Sequence, residues 1–201
     1  MKGYLLFSAL FVFIISCNKN DVLKNDKKGI QKCPEIIVGS PKRLGKGDTV
    51  PEISILGPDQ ECKALSSLKG KVVILSFWAS WSAPCRRTNT DIAEVYNRYK
   101  EQDLEVFSVS LDGVDDRKKE MMADEEYISE ISRAKKSWIQ AIADDSLTWT
   151  NHGCELQKWD GQTPKNYAIN SIPKVYILSR DGVINAIDPG HLLEQEIVKL
   201  L

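Results

Sequence analysis

Hydrophobic residues follow three rhythms along the chain, and each rhythm predicts a different element. Residues 4–15 form an almost unbroken apolar run behind Lys2. The run is too short for an ordinary membrane-spanning helix and suits the core of a secretory signal. Residues 18–42 are polar, rich in Lys and Asn at first, and hold no sustained period, which predicts a tether interrupted by an apolar patch at Ile36, Ile37 and Val38. From Val50 onward the pattern is that of a packed domain. Ile53 and Ile55 alternate with polar neighbours, Gly57-Pro58-Asp59 marks a turn, and Lys63, Ala64 and Leu65 return as a short partner strand. Residues 72–78, Val-Val-Ile-Leu-Ser-Phe-Trp, predict a strand buried on both faces.

A helix should follow at once. Ser82 is a good N-cap, Pro84 suits the first turn, and Ile92, Val95, Tyr96 and Tyr99 recur at helical spacing. Residues 104–111 then predict a second buried strand, and a strand-helix-strand unit implies that its two strands are parallel. A long charged helical stretch is expected from about 115 to 143, with Ile128, Ile131, Trp138 and Ile142 as an apolar stripe in its second half. A loop holding Trp149, His152, Cys154 and Trp159 leads to a hairpin in which residues 174–179 and 183–187 flank Arg180-Asp181-Gly182. Leu193, Ile197, Leu200 and Leu201 make a closing amphipathic helix.

Composition adds limits. A chain of 201 residues, 42% hydrophobic, suits one domain of ordinary core size. A formal net charge of -1 offers no general attraction to nucleic acid, which is not an expected partner. No pair of cysteines has metal-ligand spacing, and His152 near Cys154 is two ligands short of a zinc site. Neither a metal nor another cofactor is expected.

At the N-terminus, Ile14-Ile15-Ser16-Cys17 resembles the lipobox of bacterial lipoproteins, in which the cysteine is lipidated and becomes the first residue of the mature chain. The resemblance implies a signal peptide over residues 1–16, lipidation at Cys17, a lipidated N-terminus and tether over 17–42, and a folded domain over 43–201. It further implies an exported protein of the bacterial cell envelope, held on the periplasmic or outer-surface side of a membrane by lipid. An ordinary signal peptide or an uncleaved anchor is the alternative.

The segment after the first buried strand, Phe77-Trp78-Ala79-Ser80-Trp81-Ser82-Ala83-Pro84-Cys85, carries the candidate chemistry. Together with Leu68-Lys69-Gly70-Lys71, Ile172-Pro173 and Asp181-Gly182, it resembles the thioredoxin-like superfamily over residues 46–201, and within it the membrane-attached TlpA/ResA type of thiol-disulfide oxidoreductase. The resemblance implies an α/β thioredoxin fold, with a central mixed β-sheet flanked by helices, an N-terminal β extension and a helical insertion. It implies protein thiols or disulfides as substrates, a cis bond before Pro173, and a docking groove bordered by Trp81, Ile172 and Pro173.

Members of that family attack a substrate disulfide with one cysteine and resolve the mixed disulfide with another three residues later, both at a helix N-terminus that lowers the thiol pKa. Here the attacking position holds Ser82, which cannot form a disulfide, and only Cys85 remains. A neutral hydroxyl, Ser76, also stands where thioredoxin carries a buried acid. Three readings of Cys85 stay open. It is a small buried hydrophobe in a redox-inactive binding module, a reactive thiol partnered by Cys154 or an external thiol, or a peroxiredoxin-like single-cysteine peroxidase. The exported cysteines 33, 62, 85 and 154 allow three complete pairings, and Cys33 with Cys62 is favoured as structural because both lie outside the presumed site.

Overall fold

The computed structural model describes residues 33–34 and 43–201. The expectations for the signal segment, for Cys17, for the Ile36–Val38 patch and for most of the tether lie outside these residues. Five strands make the central sheet. The middle one, β3 (Val72–Trp78), is buried at all seven positions because it has a neighbouring strand on each edge and packing on both faces. On one side, β4 (Leu104–Ser110) pairs with it in parallel, and β5 (Asn151–Cys154) adds in parallel to β4. On the other side, β6 (Lys174–Leu178) and β7 (Ile184–Ile187) complete the sheet as antiparallel strands. A separate hairpin, β1 (Ser54–Leu56) with β2 (Cys62–Ala64), forms the N-terminal extension.

The two-residue period of a strand sorts side chains between the two faces of the sheet. Val72, Ile74 and Trp78 pack with Leu104, Val106, Val175 and Ile177 under the helical face. Val73, Leu75 and Phe77 pack with Phe107, Val109 and Tyr176 on the other face, where Ile53, Ile55, Leu65 and Tyr167 cover them. Gly153 allows this second cover to approach. A Cβ at Gly153 would lie 2.0 Å from Ile55 Cγ2, so any larger residue would push β1 away from β5.

The helices that follow are α1 (Ala83–Tyr99), α2 (Asp116–Glu120), α3 (Asp124–Asp144), α4 (Gln162–Asn166) and α5 (Leu193–Val198). Two sequence expectations need correction. The charged stretch is two helices rather than one, broken at residues 121–123, and the inward stripe of α3 steps through Tyr127, Ile131, Ala134, Trp138 and Ala141. Ile128 lies one position round the helix from that stripe and is 63% exposed. The expected loop containing His152 and Cys154 is instead the edge strand β5. Four residues with a central Gly and a His carry no alternation of their own, and their strand geometry comes from pairing with β4.

Among the described residues, no helix is long and apolar enough to cross a membrane. Cys33 and Cys62 are joined by a disulfide that ties the start of the described chain to β2.

Candidate functional site

The C-terminal ends of β3 and β4 and the first turn of α1 converge on one point. After Trp78 the chain leaves the sheet, and a backbone bond from Ser82 N to Ala79 O at 3.1 Å tightens the turn. Ser82 has extended backbone angles and caps α1, its Oγ accepting a hydrogen bond from Cys85 N at 3.4 Å. Arg86 N donates to Ser82 O at 3.0 Å and begins the helical ladder. A cap of this type is worth about 1 kcal/mol. Ser82 therefore has a complete structural role as the cap of α1.

Cys85, one turn into the helix, points into the core beside Trp78 and has no exposed surface. Burial pushes its thiol above the ordinary value, and the nearby Asp112 carboxylate adds to that, while the Ser82 hydroxyl opposes it. The helix N-terminus alone would favour a thiolate. Here desolvation wins, and Cys85 is a protonated thiol at neutral pH.

A row across three strands places the other cysteine. Ser110 on β4 is in register with Trp78 on one side and with Cys154 on the other. Strand spacing of about 4.8 Å therefore sets Cys154 roughly 10 Å in Cα terms from Trp78 on the same face. Cys154 shares the buried cluster with Cys85. Its Sγ donates to Asp112 O at 3.5 Å and accepts from Leu156 N at 3.4 Å, and burial pushes its thiol up to about 12. Both thiols are free, and the structure shows no bond between them.

Asp112, which carries no motif of its own, organises the turn. Its buried carboxylate accepts from Ser80 N at 2.9 Å, from Ser80 Oγ at 2.5 Å and from Ser110 Oγ at 2.6 Å. It thus fastens the turn carrying Trp81 and Ser82 to the end of β4. One signal could have found it: an acid just beyond the second parallel strand, where the C-terminal strand ends of an α/β sheet gather functional residues. Ser76 is 1% exposed, and its hydroxyl has no hydrogen-bond partner among the described residues.

The remaining candidates lie on the surface of this end. Trp81 is 55% exposed. The Ile172–Pro173 bond is cis, and Pro173 with Val175, Ile92 and Leu193 lines a groove of about 150 Å³ beside α1, rimmed by Thr88, Asp91 and Asp188. Ile172 packs against the cores on both faces of the sheet. Among the described residues, no group of three or more His, Cys, Asp or Glu side chains has the arrangement to hold a metal ion. His152 is committed elsewhere, in a buried network with Ser108 and Trp149.

Comparison with known proteins places this geometry. Residues 46–187 match the model of the AhpC/TSA family. The thiol-disulfide oxidoreductase ResA of Geobacillus kaustophilus is 34% identical over 77% of this chain and 75% of its own length. ResA of Oceanobacillus iheyensis is 29% identical over 73% of this chain and 66% of its own length, so the match spans just under two thirds of that relative. A solved thiol-disulfide oxidoreductase structure from Bacteroides fragilis superposes with a TM-score of 0.61 at 26% identity, covering 77% of this chain and all of that one. The architecture is that of the thioredoxin fold.

Proposed function

Because the chain belongs to the AhpC/TSA family, as a thioredoxin-like protein of the TlpA/ResA type, we propose that it docks protein thiol or disulfide substrates without running the two-cysteine cycle at its turn. Ser82 stands in place of the attacking cysteine, and whatever exchange the protein performs passes through Cys85. The observation that carries this reading is the pairing of a serine cap with a fully buried Cys85 one turn later. A serine hydroxyl has a pKa too high to supply an anion here and forms no disulfide. A buried protonated thiol reaches a substrate sulfur only after local opening.

Two separate surfaces support the reading, the groove at Pro173 and the exposed Trp81; neither Trp81 nor Ile172 lines the Pro173 groove, so the single groove expected from the sequence is divided here. The apolar run ending at Cys17 supports an exported domain held to a membrane by lipid through residues 17–42. A single-cysteine peroxidase needs an accessible thiolate, and the burial and raised pKa of Cys85 count against it. Partnership between Cys85 and Cys154 is likewise disfavoured, since both sulfurs are protonated and buried.

The test compares wild type with Cys85→Ala in disulfide-reductase and peroxide-consumption assays. Both proteins are expected to sit at the uncatalysed background in both assays. Turnover that survives in Cys85→Ala would overturn the assignment of exchange to Cys85, and turnover in wild type that vanishes in Cys85→Ala would keep that assignment but overturn the expectation of docking without catalysis.

A further inference from the structure

Helix α3 builds a wall beside the active-site turn. Its apolar stripe, with Trp138 2% exposed and Ala141 also buried, faces the body of the domain. Helical geometry then turns Lys136, Ser137 and Gln140 to another side, and these three residues are exposed. With Ser80, Trp81 and Arg86 from the turn and the start of α1, they line an open cleft of about 510 Å³.

The uncompensated charge of this cleft is the cation Lys136, since Asp145 and Asp144 pair with Arg86. The cleft lining holds two cations, Arg86 and Lys136, and no carboxylate. Neighbouring acids are already engaged. Asp145 accepts from Arg86 Nε at 2.5 Å, Asp144 accepts from Gln140 and lies 3.9 Å from Arg86 Nη2, and Asp112 is occupied behind Ser80. Arg86 is thereby fixed in place while neither of its Nη groups makes a hydrogen bond among the described residues. Lys136 makes no ion pair among them.

We propose that the cleft between Trp81 and α3 selects an acidic, extended segment of the docked protein, whose carboxylate meets Lys136, with the unbonded Nη donors of Arg86 within the same cleft, while an adjacent apolar side chain lies on Trp81. This deepens the docking reading and rests on it, by naming the class of partner chain. A basic segment meets like charge at Lys136. It gains only from the indole face of Trp81, because an exposed cation–π contact is worth about 0.5–1 kcal/mol. The division of labour follows from the chemistry of each group. Trp81 supplies apolar area to any segment, and Lys136 supplies the choice.

The test uses two fluorescein-labelled peptides of equal length with the same Ala-Ser-Val core, one flanked by glutamates and one by lysines, and neither containing cysteine. Binding to the full chain is read by fluorescence anisotropy at low ionic strength. The acidic peptide should bind about two- to fivefold more tightly than the basic one, in line with one exposed ion pair. The gap should narrow as salt rises. Lys136→Glu, a change at an exposed position, should remove or invert the preference, and Trp81→Ala should weaken both peptides alike.

Equal binding of the two peptides, or a preference unchanged in Lys136→Glu, would overturn the proposal. Self-association of the protein that Lys136→Glu abolishes, with no peptide preference, would assign the cleft to a second copy and also overturn it. These peptides carry no sulfur, so the outcome is independent of whether Cys85 proves redox active.

Discussion

Replacing Ser82 with cysteine is expected to switch on disulfide reductase activity, raising turnover of a protein disulfide in the presence of dithiothreitol on the order of 100-fold or more above wild type. Restoring a missing nucleophile recovers a large part of a catalytic rate. The scaffold around position 82 is already in place. The residue caps α1 with extended backbone angles, the turn is fastened through Ser80 to Asp112, and Cys85 lies three residues on. The reaction balances without another protein group. The new thiolate attacks a substrate sulfur and releases one substrate thiol, and Cys85 attacks the resulting mixed disulfide and releases the second. Dithiothreitol then reduces the disulfide so formed between Cys85 and the introduced cysteine. Adding Cys85→Ala to the same variant and leaving out dithiothreitol should stop the reaction at the mixed disulfide, which non-reducing gels would capture. A folded Ser82→Cys protein with no activity would mean that the turn does not present position 82 to a substrate.

The second large effect concerns pH and stability, at His152. This ring is 3% exposed, accepts at Nδ1 from Ser108 Oγ at 2.7 Å, and donates from Nε2 to Leu147 O at 3.3 Å. The carbonyl can only accept, which assigns the proton to Nε2 in the neutral ring. Trp149 stacks on the ring and donates its indole N–H to Ser108 Oγ at 3.1 Å, so the network joins β4, β5 and the loop after α3. Burial lowers the His152 pKa from 6.5 to about 4. The unfolded chain therefore binds a proton below pH 6.5 that the folded protein refuses until about pH 4. Stability is complete above that window and falls as pH drops through it, by about 1.4 kcal/mol per pH unit and about 3 kcal/mol in all. Denaturant titrations of wild type and His152→Asn between pH 6.5 and 5 isolate this effect from most carboxylates. The variant, although less stable at neutral pH through its lost hydrogen bonds, should show a clearly shallower decline. Parallel declines would place the acid sensitivity elsewhere.

Several elements were legible in the sequence because a local signal coincided with the tertiary outcome. The Val72–Trp78 run is apolar on both faces, and it became the central strand. Ser82 is followed by Pro84 and an apolar helical period, and the structure uses it as a cap. The Arg180-Asp181-Gly182 turn joins β6 to β7, with Gly182 at φ +77°. The elements missed depend on pairing or on distant partners. β5 exists because β4 offers it an edge, and Gly153 matters because Ile55 approaches from a hairpin about a hundred residues away. Asp112 matters through three donors gathered by folding, and Lys136 through a cleft formed only when α3 settles beside Trp81. Burial of Cys85 was open in the sequence for the same reason. Helix position favours a thiolate and packing opposes it, and only the packed structure shows which is larger.

That balance at Cys85 is the centre of the account. It is tested most directly by the rate at which iodoacetamide modifies Cys85 at neutral pH, followed by mass spectrometry in the native protein and in the same protein unfolded by denaturant with its Cys33–Cys62 disulfide intact. The account predicts that Cys85 and Cys154 are both strongly protected in the native state and react readily once unfolded. Modification of native Cys85 at a rate near that of the unfolded chain would contradict it, and would show an accessible, ionised thiol at the start of α1.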